Sequence, residues 1–309
     1  KDLGDAFDKF FNKEAEYPKF KKKGKCEVSF FHLNNKFKVE NKHISLEKIG
    51  YVKMKDEDRL PVGNYKKDKI KVLNPRIKYN GKYWYLSLAI ELEDMEKQEL
   101  TGESVGVDLG IKDLAIVSNI DKPFKNINKS KEVKRLNKKL KRLQRKVSRK
   151  YDNLKVEKTF QKGEKLTKTQ NIIKLENEIR LVHKRIADIR LNHIHQTTND
   201  IVKTKPSRVV MEELNVKGMM KNKHLSKAIG EQSFNKFLTI LKYKCKWRDI
   251  EFVKADRFFP SSKMCSCCGT IKKDLKLKDR IYKCPNQECN LVIDRDKNAS
   301  INLANYKLA

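Results

Sequence analysis

Apolar residues recur with two different periods along this chain, and the change of period divides it into segments. One helical face is predicted near the start by a spacing of three and four residues: Leu3, Ala6, Phe7, Phe10 and Phe11. From Cys26 to Leu92 apolar and polar residues alternate instead, most clearly in KYWYLSLAIEL, and Asn80-Gly81 supplies a tight turn. We therefore expect an antiparallel sheet or a small β-barrel in this second segment.

Two short apolar strands that end in an acid are predicted further along. SVGVDLG predicts a strand that delivers Asp108 to its end, with a second strand following from Leu114 to Val117. RVVMEELNV repeats the pattern with Glu212. An acid at the end of an apolar strand is electrostatically unfavourable unless a cation meets it, and either a lysine or a metal ion could be that partner.

Two long helices are predicted between these strands. Apolar residues within Lys129 to Lys150 step by three and four, the seam of a coiled coil: Val133, Leu136, Leu140, Leu143 and Val147. A second helix repeats the step: Ile172, Leu175, Ile179, Val182, Ile186 and Ile189. With a loop from Tyr151 to Thr167 between them, the two helices predict an antiparallel hairpin.

The segment after Glu212 contains three further predicted elements. Residues Leu214 to Ser226 have the composition of a loop. An amphipathic helix is predicted from Phe234 to Trp247, and another strand from Glu251 to Phe259.

Four cysteines near the C-terminal end have the spacing of a zinc site. Cys265 and Cys268 form a C-x2-C pair, and a hairpin-length spacer separates them from Cys284 and Cys289. Four thiolates in two knuckles suit tetrahedral Zn²⁺, so a zinc ribbon is predicted. Cys267, inside the first pair, could compete as a ligand. Directly afterwards, NLVIDRDKNASINL places Asp294 and Asp296 at the start of a predicted final helix.

The charge of the chain predicts a polyanionic partner. Lys and Arg number 72 against 40 Asp and Glu, a formal net charge of +32, which favours nucleic acid through phosphate neutralisation. The first long helix is especially basic, and these residues are candidate phosphate contacts: Lys134, Arg135, Lys138, Lys141, Arg142, Arg145 and Arg149. No apolar run is long enough for a membrane span, and no signal peptide is visible. Seven cysteines dominated by the zinc pattern fit a reducing cytosol. The chain begins at Lys1 without an initiator Met, and we expect an N-terminal portion of the natural protein to be missing.

Three acids on separate elements define a candidate catalytic constellation. Asp108, Glu212 and Asp296 could together hold two Mg²⁺ or Mn²⁺ ions, which prefer oxygen ligands and promote phosphodiester hydrolysis. Asp294 is a possible supporting residue, or Arg295 pairs with it.

Four sequence segments resemble one known family. GVDLGIKDLA, VVMEELNVKGM, ADRFFPSSKMCSCCG and CNLVIDRDKNASINL are similar to the RuvC motifs and zinc ribbon of TnpB proteins, transposon-encoded RNA-guided DNA endonucleases related to type V CRISPR effectors. YPKFKKK and LKRLQRKVSRK resemble further regions, so the match covers nearly the whole chain. The resemblance implies that Asp108, Glu212 and Asp296 are the catalytic acids, with Glu212 favoured over Glu213 and Asp296 over Asp294. The second knuckle departs from the family, since four residues separate its cysteines where two are usual.

The resemblance also implies an architecture. We expect an α+β multidomain protein with a wedge-like antiparallel β-barrel, an RNase-H-like (RuvC) nuclease domain carrying an inserted basic helical hairpin, and a zinc ribbon. The expected divisions run in chain order: 1–24, the end of a helical recognition region and connector; 25–100, the wedge-like domain; 101–128, RuvC part I; 129–204, the helical insertion; 205–259, RuvC part II; 260–293, the zinc ribbon; and 294–309, RuvC part III.

The implied function is RNA-guided cleavage of DNA at a single RuvC site, associated with a transposable element. The expected cofactors are one structural Zn²⁺ and two catalytic Mg²⁺ or Mn²⁺ ions. The expected partners are a guide RNA from the transposon end and a double-stranded DNA target with its displaced strand, bound by a monomer in the bacterial or archaeal cytoplasm, at the nucleoid. Three alternatives stay open at this point: a nuclease-dead RNA-guided repressor, a DNA transposase, and a non-enzymatic zinc-ribbon RNA-binding protein.

Overall fold

The chain folds into two compact units. A computed structural model describes residues 2–20, 26, 28–33, 36–40, 42–55, 72–90, 98–157, 167–276 and 278–307. The first unit is Lys1–Met95 and the second is Glu96–Ala309. The finer division into seven segments stays a prediction.

The first unit opens with the predicted amphipathic helix. Helix α1 spans Asp2–Phe11, which confirms the prediction from the apolar spacing. Its aromatic residues pack on Tyr17, with ring centroids 5.7 Å away for Phe7 and 5.3 Å away for Phe10. Since this cluster is local, the helix stabilises its own connector.

Two open sheets make up the rest of the first unit. One contains β1 (Val28–Phe31), β5 (Val72–Tyr79) and β6 (Trp84–Ile90) in the order β1-β5-β6. The other contains β2 (Lys38–Glu40), β3 (His43–Leu46) and β4 (Gly50–Lys53) in chain order. All pairings are antiparallel. Their shared core is apolar: Phe37, Val39, Ile44, Leu46 and Ile77.

The expected β-barrel is therefore wrong, although the antiparallel strands are present. A barrel requires every strand to be paired on both sides, whereas β1, β2, β4 and β6 each pair on one side within the described residues. The predicted tight turn at Asn80-Gly81 is confirmed between β5 and β6. There Gly81 has a φ of +99°, and the Asn80 side chain accepts hydrogen bonds from the Lys82 and Tyr83 amides.

The second unit is built on a mixed five-stranded sheet. Its strands are β7 (Ser104–Leu109), β8 (Asp113–Val117), β9 (Phe124–Lys125), β10 (Arg208–Glu212) and β11 (Glu251–Ala255). They lie in the order β11-β10-β7-β8-β9. The strands β11, β10 and β7 are parallel, whereas β8 and β9 are antiparallel to their neighbours. The apolar strands predicted before Asp108 and Glu212 are thus confirmed.

The two long helices pack along the predicted heptad seam. A 3₁₀ helix, Ile127–Lys129, precedes α2 (Lys131–Glu157), and α3 spans Gln170–Lys203. Their contact is formed by seam residues: Val133, Leu136, Leu140, Leu143, Leu175, Ile179, Val182, Ile186 and Ile189. The expected loop start at Tyr151 is wrong. That residue is still helical, and its hydroxyl lies 2.5 Å from Glu176 Oε1 of α3. Residues 158–166 of the expected loop lie outside the described residues.

The remaining elements surround the sheet. Two short helices, α4 (Val216–Met219) and α5 (Ser226–Gln232), replace part of the loop expected from 214 to 226. The predicted amphipathic helix is confirmed as α6 (Phe234–Lys246). A hairpin of β12 (Ile281–Lys283) and β13 (Val292–Asp294) leads into α7 (Arg295–Ala304). Among the described residues, no helix has the length and apolar character needed to cross a membrane.

Candidate active site and metal centre

Asp108 and Glu212 lie at the same edge of the five-stranded sheet. Strands β7 and β10 are parallel, and Val107 is paired with Met211, so the next residue of each strand is an acid. Parallel neighbours end at one edge, where α/β proteins commonly place functional groups. The residues that precede both acids are fully buried and apolar, which fixes the strands and therefore the two carboxyl groups.

Asp296 reaches this region because helix α7 packs directly on β7. Gly106 lies under the helix: a Cβ built at this position would stand 2.8 Å from Leu303 Cβ, closer than real Cβ atoms come. Only glycine allows this approach. Asp296 lies in the first turn of α7, the helix that directly follows the β12–β13 hairpin. The close packing on β7 therefore brings Asp296 towards Asp108.

Asp294 has a structural task at the start of α7. Its side chain caps the helix, accepting hydrogen bonds from the Asp296 amide at 2.9 Å and the Lys297 amide at 3.1 Å. Such a cap satisfies amides that have no partner within the helix. Arg295 contacts Asp296 rather than Asp294 in the ion pairs observed, with Nη2 3.1 Å from Oδ1. Arg280 adds a second cation, 3.6 Å from Asp296 Oδ2.

The three acids interact electrostatically. Removal from water raises the pKa of Asp108 well above its ordinary value, and the carboxylates of Asp296 and Glu212 raise it further, while Arg295 opposes them. Burial also raises the pKa of Glu212. Desolvation and mutual repulsion are what destabilise clustered carboxylates. The folded chain therefore holds these acids in an arrangement that is unfavourable without a cation.

This donor set fits hard divalent cations. Carboxylate oxygens are the ligands that Mg²⁺ and Mn²⁺ prefer. The carboxylate oxygens of the three acids are farther apart than the ligand atoms of a single-ion site. Among the described residues, only the four cysteines bring three or more ligand atoms within 4.8 Å of one another. A two-ion site accommodates a wider spread, since its ions are about 3.5–4 Å apart.

The four predicted cysteines converge on one point. The Sγ atoms of Cys265, Cys268, Cys284 and Cys289 all lie within 4.8 Å of one another. Two of the separations are 3.7 Å, for Cys265 to Cys289, and 3.5 Å, for Cys268 to Cys284. A tetrahedral ion with Zn–S bonds of about 2.3 Å requires sulfur atoms about 3.8 Å apart. The cluster therefore fits Zn²⁺.

Cys267 lies outside this cluster. It is exposed, and it is absent from the group of converging sulfur atoms. The first knuckle is a tight turn in which the Gly269 amide donates to the Cys265 carbonyl at 3.0 Å. Gly269 has a φ of +75° there. The longer second knuckle closes similarly, with the Cys289 amide donating to the Asn286 carbonyl at 3.2 Å. The extra residues of the second pair therefore leave its sulfur atoms in place.

The candidate phosphate contacts lie on the exposed side of α2. All seven predicted residues are exposed, and none makes an ion pair with a residue that the structure describes. Two other charges of α2 are paired with α3: Lys139 with Glu178 at 2.8 Å and Glu132 with Arg185 at 2.9 Å. The helix therefore presents a row of cations to solvent.

Four residues that support the acids were missed by the sequence reasoning: Gly106, Lys297, Asn298 and Asn302. Lys297 Nζ donates to the carbonyls of Val117, Ser118 and Ile120 at 2.9–3.1 Å. Asn298 and Asn302 bind the first cysteine knuckle. The available signals were a glycine inside an apolar strand and two asparagines inside a helix. Glycine disfavours a strand and asparagine disfavours a helix, so each residue indicates a packing requirement at its position.

Comparison with known proteins shows the family. Residues 87–223 match the OrfB_IS605 model, described as "Probable transposase", and residues 234–303 match the Cas12f1-like TNB domain. A Streptomyces pristinaespiralis protein described as "Putative RNA-guided DNA endonuclease" is 32% identical over 99% of this chain and 69% of its own length. InsQ of Escherichia coli K12, described in the same words, is 27% identical over 92% of this chain and 67% of its own length. The chain therefore belongs to the TnpB family.

The fold comparison agrees with the sequence comparison. Cas12f1, solved in a complex with sgRNA and target DNA, superposes with a TM-score of 0.55 and 16% identity, covering 96% of this chain and 67% of that one. The shared feature is the mixed α/β fold. The chain spans 62% to 69% of the length of four curated relatives that match nearly all of it.

Proposed function

We propose that this protein is an RNA-guided DNA endonuclease that hydrolyses phosphodiester bonds at the cluster of Asp108, Glu212 and Asp296. The observation that carries the proposal is the pairing of β7 with β10, which places Asp108 and Glu212 at one edge of the sheet, together with the packing of α7 on Gly106. The raised pKa of Asp108, caused by burial and by the two other carboxylates, supports it. Perturbed acids at the end of parallel strands indicate a functional site. The second unit is then an RNase-H-like (RuvC) nuclease domain.

The acids are held on three different elements. Asp108 and Glu212 are fixed by the paired strands β7 and β10, and Asp296 by the packing of α7 on Gly106. Bound to these carboxylates, two Mg²⁺ or Mn²⁺ ions would activate a water molecule and stabilise the leaving 3′-oxygen. Arg295 and Arg280 form ion pairs with Asp296 and balance its charge.

Nucleic-acid binding is assigned to exposed cations. The row on α2 is assigned to phosphates, because its exposed lysine and arginine side chains present positive charge to solvent. Sequence recognition is left to a guide RNA from the transposon end, which pairs with one strand of a DNA duplex while the other is displaced, as described for CRISPR effectors. The relatives' descriptions as RNA-guided DNA endonucleases support this assignment. We place this work in the cytoplasm of the host cell, at the nucleoid.

The cysteine cluster is assigned one structural Zn²⁺. Four thiolates leave no open ligand position, so such a site stabilises the fold and takes no part in the reaction.

The test begins with RNA. Sequencing the RNA that copurifies with the protein defines the guide, and a duplex matched to it is then incubated with the complex and Mg²⁺. We expect cleavage by the wild type and by Asp121→Asn, which alters an exposed acid in the β8–β9 turn. Asp108→Asn should bind the duplex and leave it intact.

The same assay separates the other candidate functions. Binding by the wild type without cleavage would favour a nuclease-dead repressor and overturn the proposal. Joining of the cut ends to a second DNA would favour a transposase. RNA binding without DNA binding would favour a non-enzymatic RNA-binding protein.

A further inference from the structure

Helix α7 is bound to the first cysteine knuckle by two buried side-chain amides. Asn298 Nδ2 donates to the Met264 carbonyl at 2.7 Å, and Asn298 Oδ1 accepts from the Ser266 amide at 2.9 Å. Asn302 Nδ2 donates to the same Met264 carbonyl at 2.6 Å and to the Ser261 carbonyl at 2.7 Å. These bonds enclose Cys265, which lies between Met264 and Ser266.

Asparagine is an unexpected choice at these two positions. Asn298 is 0% exposed and Asn302 is 2% exposed. At buried positions in the middle of a helix, an apolar residue would be more favourable than asparagine. A buried amide is tolerated when it is hydrogen-bonded. Because residues four apart lie on one face of a helix, the two amides meet the knuckle along one line. Together they fix both the rotation of α7 and its position along its axis.

The fixed helix carries Asp296. Asp296 lies two residues before Asn298, within the same turn, and the Asp294 side chain closes that turn. Elsewhere on the helix, Lys297 holds the carbonyls at the end of β8, and Leu303 packs on Gly106. The helix is therefore held between the sheet that carries Asp108 and the knuckle that carries Cys265.

We propose that Asn298 and Asn302 are positioning residues, which transmit the geometry of the cysteine knuckle to Asp296 and so set the affinity of the acid cluster for its divalent ions. This inference rests on the proposed function, since it takes Asp296 as an ion ligand. Neither asparagine touches the acids. Both act through the helix backbone.

The experiment measures ion binding rather than cleavage. Mn²⁺ binding is followed by electron paramagnetic resonance, with the protein in its RNA complex, for the wild type, Asn302→Leu and Asn298→Ser. Asn298→Ser removes the amide donor to Met264 without burying a charge or adding volume, so it provides a second test case if Asn302→Leu does not fold. Both variants should weaken Mn²⁺ binding by about tenfold or more, as loss of groups supporting a metal ligand does.

A matched control separates positioning from general stability. Ile172→Val removes a methyl group from a fully buried residue of α3 that lies outside the core containing Val107 and Met211. It should lower the Tm without changing Mn²⁺ affinity, RNA affinity or the content of one Zn²⁺ per chain. Unchanged Mn²⁺ affinity in both asparagine variants, with a lowered Tm, would overturn the inference and leave a purely structural role.

The wild type tests the underlying function separately. Asp108→Asn should abolish the same Mn²⁺ signal. If the wild type bound no Mn²⁺ that depends on Asp108, the proposed function would fail, and the positioning role with it. If that signal is present and the asparagine variants retain it in full, only the positioning role fails.

Discussion

Gly106 and Leu303 are in such close contact that position 106 has no room for a side chain. The Cβ that an alanine would introduce stands 2.8 Å from Leu303 Cβ, and the Ser300 carbonyl and Ala304 amide are also in its way. Since Gly106 is two residues before Asp108 and α7 carries Asp296, this contact sets the spacing of two of the three acids.

Gly106→Ala should move α7 away from β7. Overpacking of this kind destabilises proteins by about 1–3 kcal/mol, and displacement of Asp296 should reduce cleavage more than the stability loss alone would. Urea unfolding and a cleavage assay at saturating Mg²⁺ measure the two effects.

Gly230→Ala is the matched control for that variant. Its Cβ would make an ordinary contact, 3.7 Å from Met220 Cε, inside helix α5. Alanine there should stabilise the protein by about 0.5–1 kcal/mol. Equal behaviour of the two variants would contradict the close-contact interpretation.

Asp108→Asn should stabilise the protein in Mg²⁺-free buffer at neutral pH. The pKa of Asp108 is raised in the folded state, so its contribution to stability is fully present below the unfolded pKa and is lost as the pH rises through the folded pKa. The asparagine variant has no such loss. Its advantage should grow with pH over that interval, reaching about 1.4 kcal/mol for each unit by which the pKa is raised.

Urea unfolding at a series of pH values measures this difference. Asp121→Asn, which removes the same charge from an exposed position, controls for net charge. A free-energy difference between Asp108→Asn and the wild type that stays constant with pH would show that Asp108 is not under electrostatic strain.

Replacement of three exposed cations of α2 should weaken nucleic-acid binding in a salt-dependent way. The triple variant Lys138→Gln, Arg142→Gln, Arg145→Gln removes three candidate phosphate contacts. The slope of log K against log salt should become shallower by about 2–3, because each contact contributes about 0.7–0.9. Filter binding across a salt series measures the slope.

Lys139→Gln provides the comparison within the same helix. Lys139 already pairs with Glu178 at 2.8 Å, so its loss should change the slope by much less than one. An unchanged slope in the triple variant would place the phosphate contacts elsewhere.

Cys284→Ser should lose the bound Zn²⁺, whereas Cys267→Ser should keep it. The sulfur of Cys284 belongs to the converging group, and that of Cys267 does not. Elemental analysis of the purified variants should give about one Zn²⁺ per chain for Cys267→Ser. Zinc loss in that variant would mean that the first knuckle uses a different pair of ligands.

The parts of the fold that were predictable are those whose pattern is local. The seam of α2 and α3 and the apolar strands before Asp108 and Glu212 follow from spacing over a few residues, and both are present. Barrel closure depends on which distant strands pair, and alternation along each strand carries no such information. The two open sheets of the first unit were therefore missed.

The residues that support the acids were missed for a similar reason. Asn298 and Asn302 look like ordinary polar positions of an exposed helix until Met264 and Ser261 are placed against them. Lys297 looks like one of many lysines, yet its ammonium binds three carbonyls at the end of β8. Burial of a polar side chain depends on tertiary packing, and the sequence showed only that these positions break the apolar pattern.

The order of the elements in the chain has a consequence for synthesis. Strands β7 and β10 pair side by side although α2 and α3 lie between them in sequence, and α7, which completes the acid cluster, follows the cysteine hairpin. Such long-range pairings form late in folding. A chain still on the ribosome therefore has no complete acid cluster until residues 295–304 have emerged.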